Sequence, residues 1–487
     1  MIPLPELMIG ASAVTAAVCA LAPREKAISP VSIAGSAVVL AAALAMAVTV
    51  GMDGPIRYGP WYIDGLSTLF SVTIAVVSLA VSMYSRGYLG FERREGLLTT
   101  RGERYYYAAV HSFAAVMLLT CTVSSLGMMW IMIEATTLIS AFLVGYYRNE
   151  QATEAAWKYI MICSVGITLA LMGLMLVYAS ASGVLGSESG ALDWPVLMAA
   201  ASMLDPELMK VAMVFAVIGF GTKMGLAPMH TWLPDAHSQA PTPVSAMLSA
   251  ALLNCALYAI LRFMAVSDAS VPGFSGGLLM MFGFASLATA AAFIIITRDI
   301  KRMLAYSSVE HMGIMAIGFG MGTPESVFGA LFLVVAHSAT KALLFFSAGN
   351  AIQAFGTRDM DCIRGMGKRM PFTSSMMASG TLAIVGMPPF SVFVGEAVVL
   401  YAAVSAGLYL QATLLAVLVL TVFAGFVMHV FPMISGEPEK EVREPGGMAR
   451  AAPMVMLLGI SLFLGLFMPD QMRDWLESAA TAVLGGV

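Results

Sequence analysis

The sequence predicts an all-α polytopic membrane protein of about 14 transmembrane helices, and three observations carry that expectation. Of the 487 residues, 59% are hydrophobic and only 11% charged, where a soluble domain carries roughly a quarter charged residues; mean hydropathy is +0.85. Most of the chain divides into apolar segments of about 20 residues, the length that crosses a bilayer as a helix, which leaves no room for a sizeable soluble domain. The Lys and Arg residues are also lopsided. With the N-terminus outside, 19 of the 25 fall on the inner side, four on the outer side and two within spans. Cytoplasmic loops are enriched in Lys and Arg, so both termini are expected to face outward, and the even span count follows.

Taken in order, the spans are expected at about 4–22, 29–51, 64–89, 105–124, 126–147, 154–181, 207–229, 243–265, 273–297, 301–321, 325–354, 373–403, 408–435 and 452–468. The first begins in MIPLPELMIGASAV, which lacks the basic n-region of a signal peptide and is therefore expected to be retained. The loops are short apart from 182–206. The seventh span is interrupted at Pro228 and the twelfth at Pro388–Pro389; proline withholds a backbone donor and crowds the preceding turn. Spans four to eight and nine to thirteen thus each hold a broken fourth member with an ionisable residue, Lys223 in one and Glu396 in the other. Two five-helix repeats in inverted orientation would give this arrangement. The expected organisation is an N-terminal three-helix region (1–104), a first repeat (105–265), a second repeat (273–435), and a last helix with a short tail (436–487).

Composition also excludes. The five cysteines (Cys19, Cys121, Cys163, Cys255, Cys362) form no C-x-x-C pair and four sit in apolar segments, which argues against iron–sulfur, zinc or disulfide frameworks. The net charge of -4 is scattered over loops and makes no case for nucleic acid. The 39 methionines lie among Leu, Ala and Val, as flexible core filling does. No nucleophile elbow, phosphate loop or metalloprotease motif stands in a usable context, so no catalytic bond chemistry and no cofactor are expected in this chain.

What remains are charges where charges are expensive. An ionisable group inside a bilayer costs a few kcal/mol or more and usually marks function. Lys223 lies in an apolar helix just before the Pro228 break, and His230, Asp235 and His237 run through that break; broken helices are tolerated at membrane depth where they line a wet cavity or pack in protein. Glu134 lies mid-span in MMWIMIEATTLISAFLV and is the natural partner of Lys223, since burial disfavours a charged lysine and a carboxylate favours it. A small movement of one would change whether the other holds its proton. His337 and Lys341 are four apart and share a helix face, with Ser338 and Thr340 beside them; a titratable imidazole next to a lysine suits a proton relay. Glu396 follows the second break. His429, near the end of span thirteen, reads equally as an outlet residue or an interfacial histidine. His230, Asp235 and His237 do not match a tight metal-ligand spacing and read as lining or shaping the break. Lys301, with Asp299 and Arg302, reads equally as part of a solvated cluster or as a site of proton uptake. Glu310 and His311 are neighbours about 100° apart around span ten, so both cannot point straight down one channel.

The block KMGLAPMHTWLPDAHSQAPTPVSA (223–246) resembles the signature of the antiporter-like, proton-translocating subunits of respiratory complex I, Mrp-type sodium/proton antiporters and membrane-bound hydrogenases. Further similarities are DGLSTLF (64–70), YSRGYL (84–89), EAAWKY (154–159), DIKRMLAYSS (299–308) and HSATKALLFF (337–346). Within that family, SSVEHMGI (307–314) and SAALLNCALYAILRF (249–263) are most similar to component F of hydrogenase-4 and formate hydrogenlyase-type complexes. The resemblance implies fourteen helices with two inverted repeats. It implies Glu134 and Lys223 as a coupling pair, Lys341 and His337 as the central relay, and Glu396 as the terminal group. It implies a place in a prokaryotic plasma membrane beside other membrane subunits and soluble hydrogenase-like and iron–sulfur subunits, with a nickel–iron centre and iron–sulfur clusters held by those partners. Three departures stand out. Ser249 or Asn254 occupies span eight where many relatives carry His or Lys, so passage from Lys223 to the centre falls to water or to His311. Glu396 stands where relatives often have Lys. Span six reads CSVGI (163–167) where some have Arg and Asp. The rival readings are an Mrp-type antiporter subunit, a complex I-like subunit driven by quinone reduction, and a structural spacer that conducts nothing.

Overall fold

The computed structural model describes residues 3–22, 25–186, 190–437 and 441–485. Arg24 and Lys440, two of the basic residues in the orientation argument, lie outside these, as does the side chain of Lys26. The described chain is helical almost throughout. In order come α1 (Leu4–Leu21), α2 (Glu25–Asp53), a small antiparallel hairpin of β1 (Ile56–Tyr58) and β2 (Trp61–Ile63), then α3 (Gly65–Arg94), α4 (Thr100–Thr122), α5 (Leu126–Val144), α6 (Glu150–Leu185) and α7 (Trp194–Ala200). The middle of the chain forms α8 (Pro206–Met224), α9 (Trp232–Gln239), α10 (Thr242–Met247), α11 (Leu253–Ser270), α12 (Phe274–Ile296), α13 (Ile300–Met321) and α14 (Pro324–Phe355). The remainder forms α15 (Met366–Arg369), α16 (Pro371–Ile384), α17 (Ser391–Ser405), α18 (Tyr409–Ser435), α19 (Met448–Leu466) and α20 (Asp470–Val483).

Among the described residues, 11 segments are long and apolar enough to cross a membrane by length and composition alone. The other three expected spans are helical too but fail that criterion for local reasons. α4 follows its charged first turn with Tyr105, Tyr106, Tyr107 and His111, α13 carries Lys301, Arg302, Glu310 and His311, and the twelfth span is divided into α16 and α17.

Both breaks occur where the sequence places them. After α8, Gly225 takes a left-handed φ of 84°, which a Cβ would penalise, and Pro228 follows a cis bond. The backbone groups freed by the break find partners inside the protein, as burial in a bilayer requires. Leu226 N–H donates to the Gly221 carbonyl at 2.8 Å, Ala227 N–H to Ser286 Oγ at 2.8 Å, and Trp232 Nε1 to the Thr222 carbonyl at 2.8 Å. At the second break Gly386 has φ 68° and Pro388–Pro389 is cis. The carboxylate of Glu396 lies where a side chain on Gly386 would begin: an ideal Cβ there would meet Glu396 Oε2 at 2.0 Å.

Small residues let neighbouring helices approach closely, the packing device of membrane bundles. A Cβ on Gly219 would fall 2.4 Å from the Ala170 backbone nitrogen, which sets α8 against α6 at the height of Lys223. On α12 and α13 the pairs Gly276–Gly320 and Gly283–Gly313 do the same. Residues 242–267 are buried without exception. They contain a π turn at Leu248–Leu252 between α10 and α11, a distortion frequent at functional sites.

Two of the basic residues counted to the two sides of the membrane, Arg262 to the outer and Arg450 to the inner, are buried. Arg262 ends up in α11, where it makes a double hydrogen bond to Asp64 at 2.7 and 2.8 Å and is flanked by Trp194, Tyr258 and Tyr62. Asp64 also caps α3 by accepting from Ser67 N–H. Arg450 lies in α19 and donates to Asn350 Oδ1 at 2.7 Å, Gln353 Oε1 at 2.6 Å and the Gly87 carbonyl at 3.0 Å. In each case polar partners on other helices hold the guanidinium inside the bundle. The segment after Phe467, read as a short tail, folds as α20. Its Leu476, Ala479, Ala480, Ala482 and Val483 are buried, against α3, α11 and α14.

Replacing Arg262 by Ala leaves Asp64 buried without its partner. Breaking such a pair costs about 3–5 kcal/mol, so R262A should lower the thermal unfolding midpoint of the detergent-solubilised protein clearly, and more than R473A on α20.

Candidate functional site

The site consists of two buried polar clusters and a set of ties on the broken helix. In the first cluster, Lys223 is fully buried on the last turn of α8. Its Nζ donates to Thr137 Oγ1 at 2.7 Å and to Tyr159 OH at 2.6 Å, and stands 4.7 Å from the centre of the Tyr159 ring. Thr137 in turn donates to Glu134 Oε2 at 3.2 Å, and Ser164 donates to Glu134 Oε1 at 2.9 Å. Glu134 and Lys223 are therefore brought together through a shared hydroxyl. Thr137 is three residues after Glu134 and lies on the same side of α5, which is why it can serve both. Tyr159 is held by Ser140 at 2.6 Å. Glu134 itself is only half-buried.

The second cluster lies where α13, α14, α17 and the π turn meet. Lys341, fully buried, donates to the Leu304 carbonyl at 2.7 Å and to Ser307 Oγ. Ser307 is on α13 four residues before His311, whose Nδ1 lies 2.9 Å from the Ser307 carbonyl. The His311 ring centre is 5.0 Å from that of His337, and its Nε2 is 3.6 Å from Glu396 Oε1. Its Nδ1 is 3.6 Å from Glu310 Oε2. His311 thus stands between the lysine side of the cluster and both carboxylates. Neighbouring positions on α13 still converge here, because the Glu310 carboxylate reaches back to the ring. Both ring nitrogens of His337, and Nε2 of His311, have no hydrogen-bond partner among the described residues. Ser249 on the π turn pairs with Ser308 at 2.7 Å, and Asn254 donates to Ser338 at 2.9 Å. The two span-eight residues therefore touch the helices that carry Lys341, His311 and His337.

The residues of the first break divide. Asp235 is partly exposed and bridges Lys158 on α6 at 3.3 Å and Arg302 on α13 at 3.0 Å, so it ties the segment to both neighbours. His237 is buried and stacks on Phe345 with ring centres 5.4 Å apart. His230 lies beside Tyr306, 6.2 Å between ring centres. Lys301 is buried and donates to the Ala240 carbonyl, which places it under the end of α9 and not in a solvated cluster. His429 lies 3.0 Å from the Ile295 carbonyl, a tie between α18 and α12. Among the described residues no three His, Cys, Asp or Glu side chains stand together as metal ligands would.

Sequence reasoning missed Thr137, Tyr159, Ser140, Ser164 and Ser307, which supply the hydroxyls. Thr137 and Ser307 could have been found as helical neighbours of Glu134 and His311. Tyr159 and Ser164 reach the cluster from α6 and only packing brings them there. A further buried group also escaped notice. Tyr147 donates to Glu92 and pairs with Tyr88 at 3.0 Å.

Replacing Thr137 by Val removes the hydroxyl shared by Glu134 and Lys223 and little volume. T137V should cut proton translocation by at least tenfold while the protein still folds, and T137S should restore most of it; liposome pH-jump assays read both. G386A should abolish translocation more completely than it lowers stability, because its Cβ would displace the Glu396 carboxylate.

Comparison with known proteins adds a lineage to this geometry. Residues 123–424 match the family described as NADH:quinone oxidoreductase/Mrp antiporter, TM. A hydrogenase-4 component F homolog from Methylacidiphilum infernorum is 35% identical over 416 residues, covering 85% of this chain and 87% of the relative. An NADH-quinone oxidoreductase subunit N from Halorhodospira halophila is 29% identical over 453 residues, 91% of this chain and 90% of the relative. A chain in the solved Mrp complex from Dietzia sp. DQ12-45-1b has the same fold, with TM-score 0.84 at 22% identity over 99% of this chain and 98% of that one.

Proposed function

Because the chain belongs to the NADH:quinone oxidoreductase/Mrp antiporter family of transmembrane proteins, we propose that it is the proton-translocating membrane subunit of an energy-converting oxidoreductase complex of the group 4 [NiFe]-hydrogenase type. The observation that carries the reading is Lys341. It is a fully buried ammonium group whose two acceptors are uncharged, beside two histidines and within reach, through His311, of Glu310 and Glu396. A structural lysine at such depth would be expected to sit on a carboxylate. A lysine held by neutral oxygens is instead suited to take up and release a proton.

On this reading protons pass from the Glu134–Lys223 cluster to Lys341 and His337, then through His311 to Glu396. Withdrawal of Glu134 from the Thr137 hydroxyl would release the proton of Lys223 toward the centre; its return would recharge the lysine. The bridging hydroxyls allow that exchange without breaking a direct ion pair. Ser249, Ser308, Asn254 and Ser338 lie beside the central helices as further donors and acceptors. His230, His237 and Lys301 serve the uptake side, Asp235 holds the break in shape, and His429 lies toward the outlet. Residues 105–265 and 273–435 act as two inverted repeats, and both termini face the outside of a prokaryotic plasma membrane. The chain itself holds no redox centre; a nickel–iron site and iron–sulfur clusters belong to soluble partner subunits, which dock through other membrane subunits.

The 35% identity of the component F homolog, against 29% for the subunit N relative, favours a hydrogenase partner over an Mrp-type exchanger or a quinone-linked relative. Purification through a tag on this chain tests that choice. Stoichiometric nickel and iron with soluble subunits supports it, iron with flavin and no nickel moves the assignment to a complex I-like assembly, and sodium-dependent transport without metal moves it to an antiporter. Within the purified complex, K223A should leave electron transfer above half of the wild-type rate and abolish coupled proton movement. Unchanged pumping by K223A would overturn the path.

A further inference from the structure

Outside the two polar clusters a groove of about 1190 Å³ runs between α4, α5 and α6, at the end of these helices where the α3–α4 and α5–α6 loops lie. Its composition is divided along its length. Toward the loops stand Arg101 and Arg148, with the aromatic rings of Tyr105 and Trp157; along the helices stand Leu138, Phe142 and other apolar side chains. Among the described residues no carboxylate lines it. Arg101 donates only to the neutral phenol of Tyr105, at 3.1 and 3.2 Å. Neither guanidinium is paired with an acidic side chain among the described residues. The nearby Glu103 and Glu154 are engaged with Arg93 and Lys158. The corner that presents Arg148 is pinned by Tyr147, bonded to Glu92 and Tyr88, and Arg148 has φ 54°, a conformation that a non-glycine residue holds only where its surroundings impose it.

The apolar wall is strongly exposed: Phe142 is 80% accessible, Trp157 61% and Leu138 53%. At bilayer depth such a wall is solvated by acyl chains, and amphipathic Trp and Tyr rings settle at the headgroup level. Two unpaired guanidiniums at that level match a phosphate, which Arg binds in a fixed, planar geometry. We propose that this groove is a binding site for one anionic phospholipid, its headgroup phosphate between Arg101 and Arg148 and its acyl chains along α5 and α6. Basic pockets between transmembrane helices select acidic headgroups in this way. The site also bears on the first polar cluster. Glu134, Leu138 and Phe142 are spaced four apart and form one stripe of α5, so a chain lying on Leu138 and Phe142 covers the half-buried side of the helix that carries Glu134.

The test uses the full-length chain, solubilised and delipidated, titrated with phosphatidylglycerol and with phosphatidylcholine of the same chains and followed by native mass spectrometry. One phosphatidylglycerol should bind at least tenfold tighter than phosphatidylcholine, and millimolar inorganic phosphate should not displace it. R101Q/R148Q should weaken phosphatidylglycerol about 30-fold, about fivefold for each guanidinium. R101K/R148K should keep most of the affinity, and R473Q on α20 all of it. Equal binding of the two lipids, or wild-type affinity in R101Q/R148Q, overturns the proposal. Displacement by phosphate makes the groove an anion site with no lipid specificity and overturns it too. Should R101Q/R148Q fold poorly, a photoreactive group on Phe142→Cys in native membranes decides: adducts to lipid support the proposal, and adducts to a neighbouring protein subunit overturn it.

Discussion

Lys223 and Lys341 are each enclosed completely inside a chain whose surroundings are hydrocarbon, Lys223 held by two hydroxyls and Lys341 by a carbonyl and a hydroxyl. The rest of the structure is arranged around the cost of that choice. A charge without water must receive its solvation from the protein, and oxygens on neighbouring helices have to arrive within hydrogen-bond distance. For Lys223 they come from α5 and α6, and for Lys341 from two residues one turn apart on α13. The close contact through Gly219 sets α6 against α8, where Tyr159 meets Lys223.

The helix breaks follow from the same constraint. Interrupting α8 and the α16–α17 span frees backbone groups that a bilayer cannot satisfy, and at the first break Ser286, Thr222 and Gly221 answer them. The second break does something different. Gly386 leaves room for the Glu396 carboxylate, and that carboxylate reaches His311. The two interruptions therefore serve unlike purposes, one placing a lysine at a helix end and the other admitting a carboxylate to the core.

The outer surface shows how buried polar groups beyond these clusters hold the bundle. The Asp64–Arg262 pair joins the start of α3 to the middle of α11, and Arg450 joins α19 to α14 and α3. Both are arginines that hydropathy places at span ends, and both are drawn inward by partners far away in sequence. Membrane helices lack a hydrophobic force between one another, so such polar ties and small-residue contacts carry the specificity that apolar cores carry in soluble proteins.

Local chemistry decided much in advance. Apolar segments of spanning length, Pro228 and Pro388–Pro389 at the interruptions, and ionisable residues deep in spans are properties of short stretches, and from them come the helical bundle, its two breaks, and Glu134, Lys223, His337, Lys341 and Glu396 as the residues of interest. The block from Lys223 to Ala246 carries the family resemblance in the sequence alone. What the sequence could not determine is which of these groups meet and through what. Thr137 stands between Glu134 and Lys223, His311 stands between Lys341 and Glu396, Lys301 is buried under α9, and α20 folds back on α3, because each depends on the distance between helices separated by tens to hundreds of residues. Helix formation is written in neighbouring residues, where hydrogen bonds close within four positions; the solvation of a buried charge is written in contacts between helices, and only tertiary packing sets those.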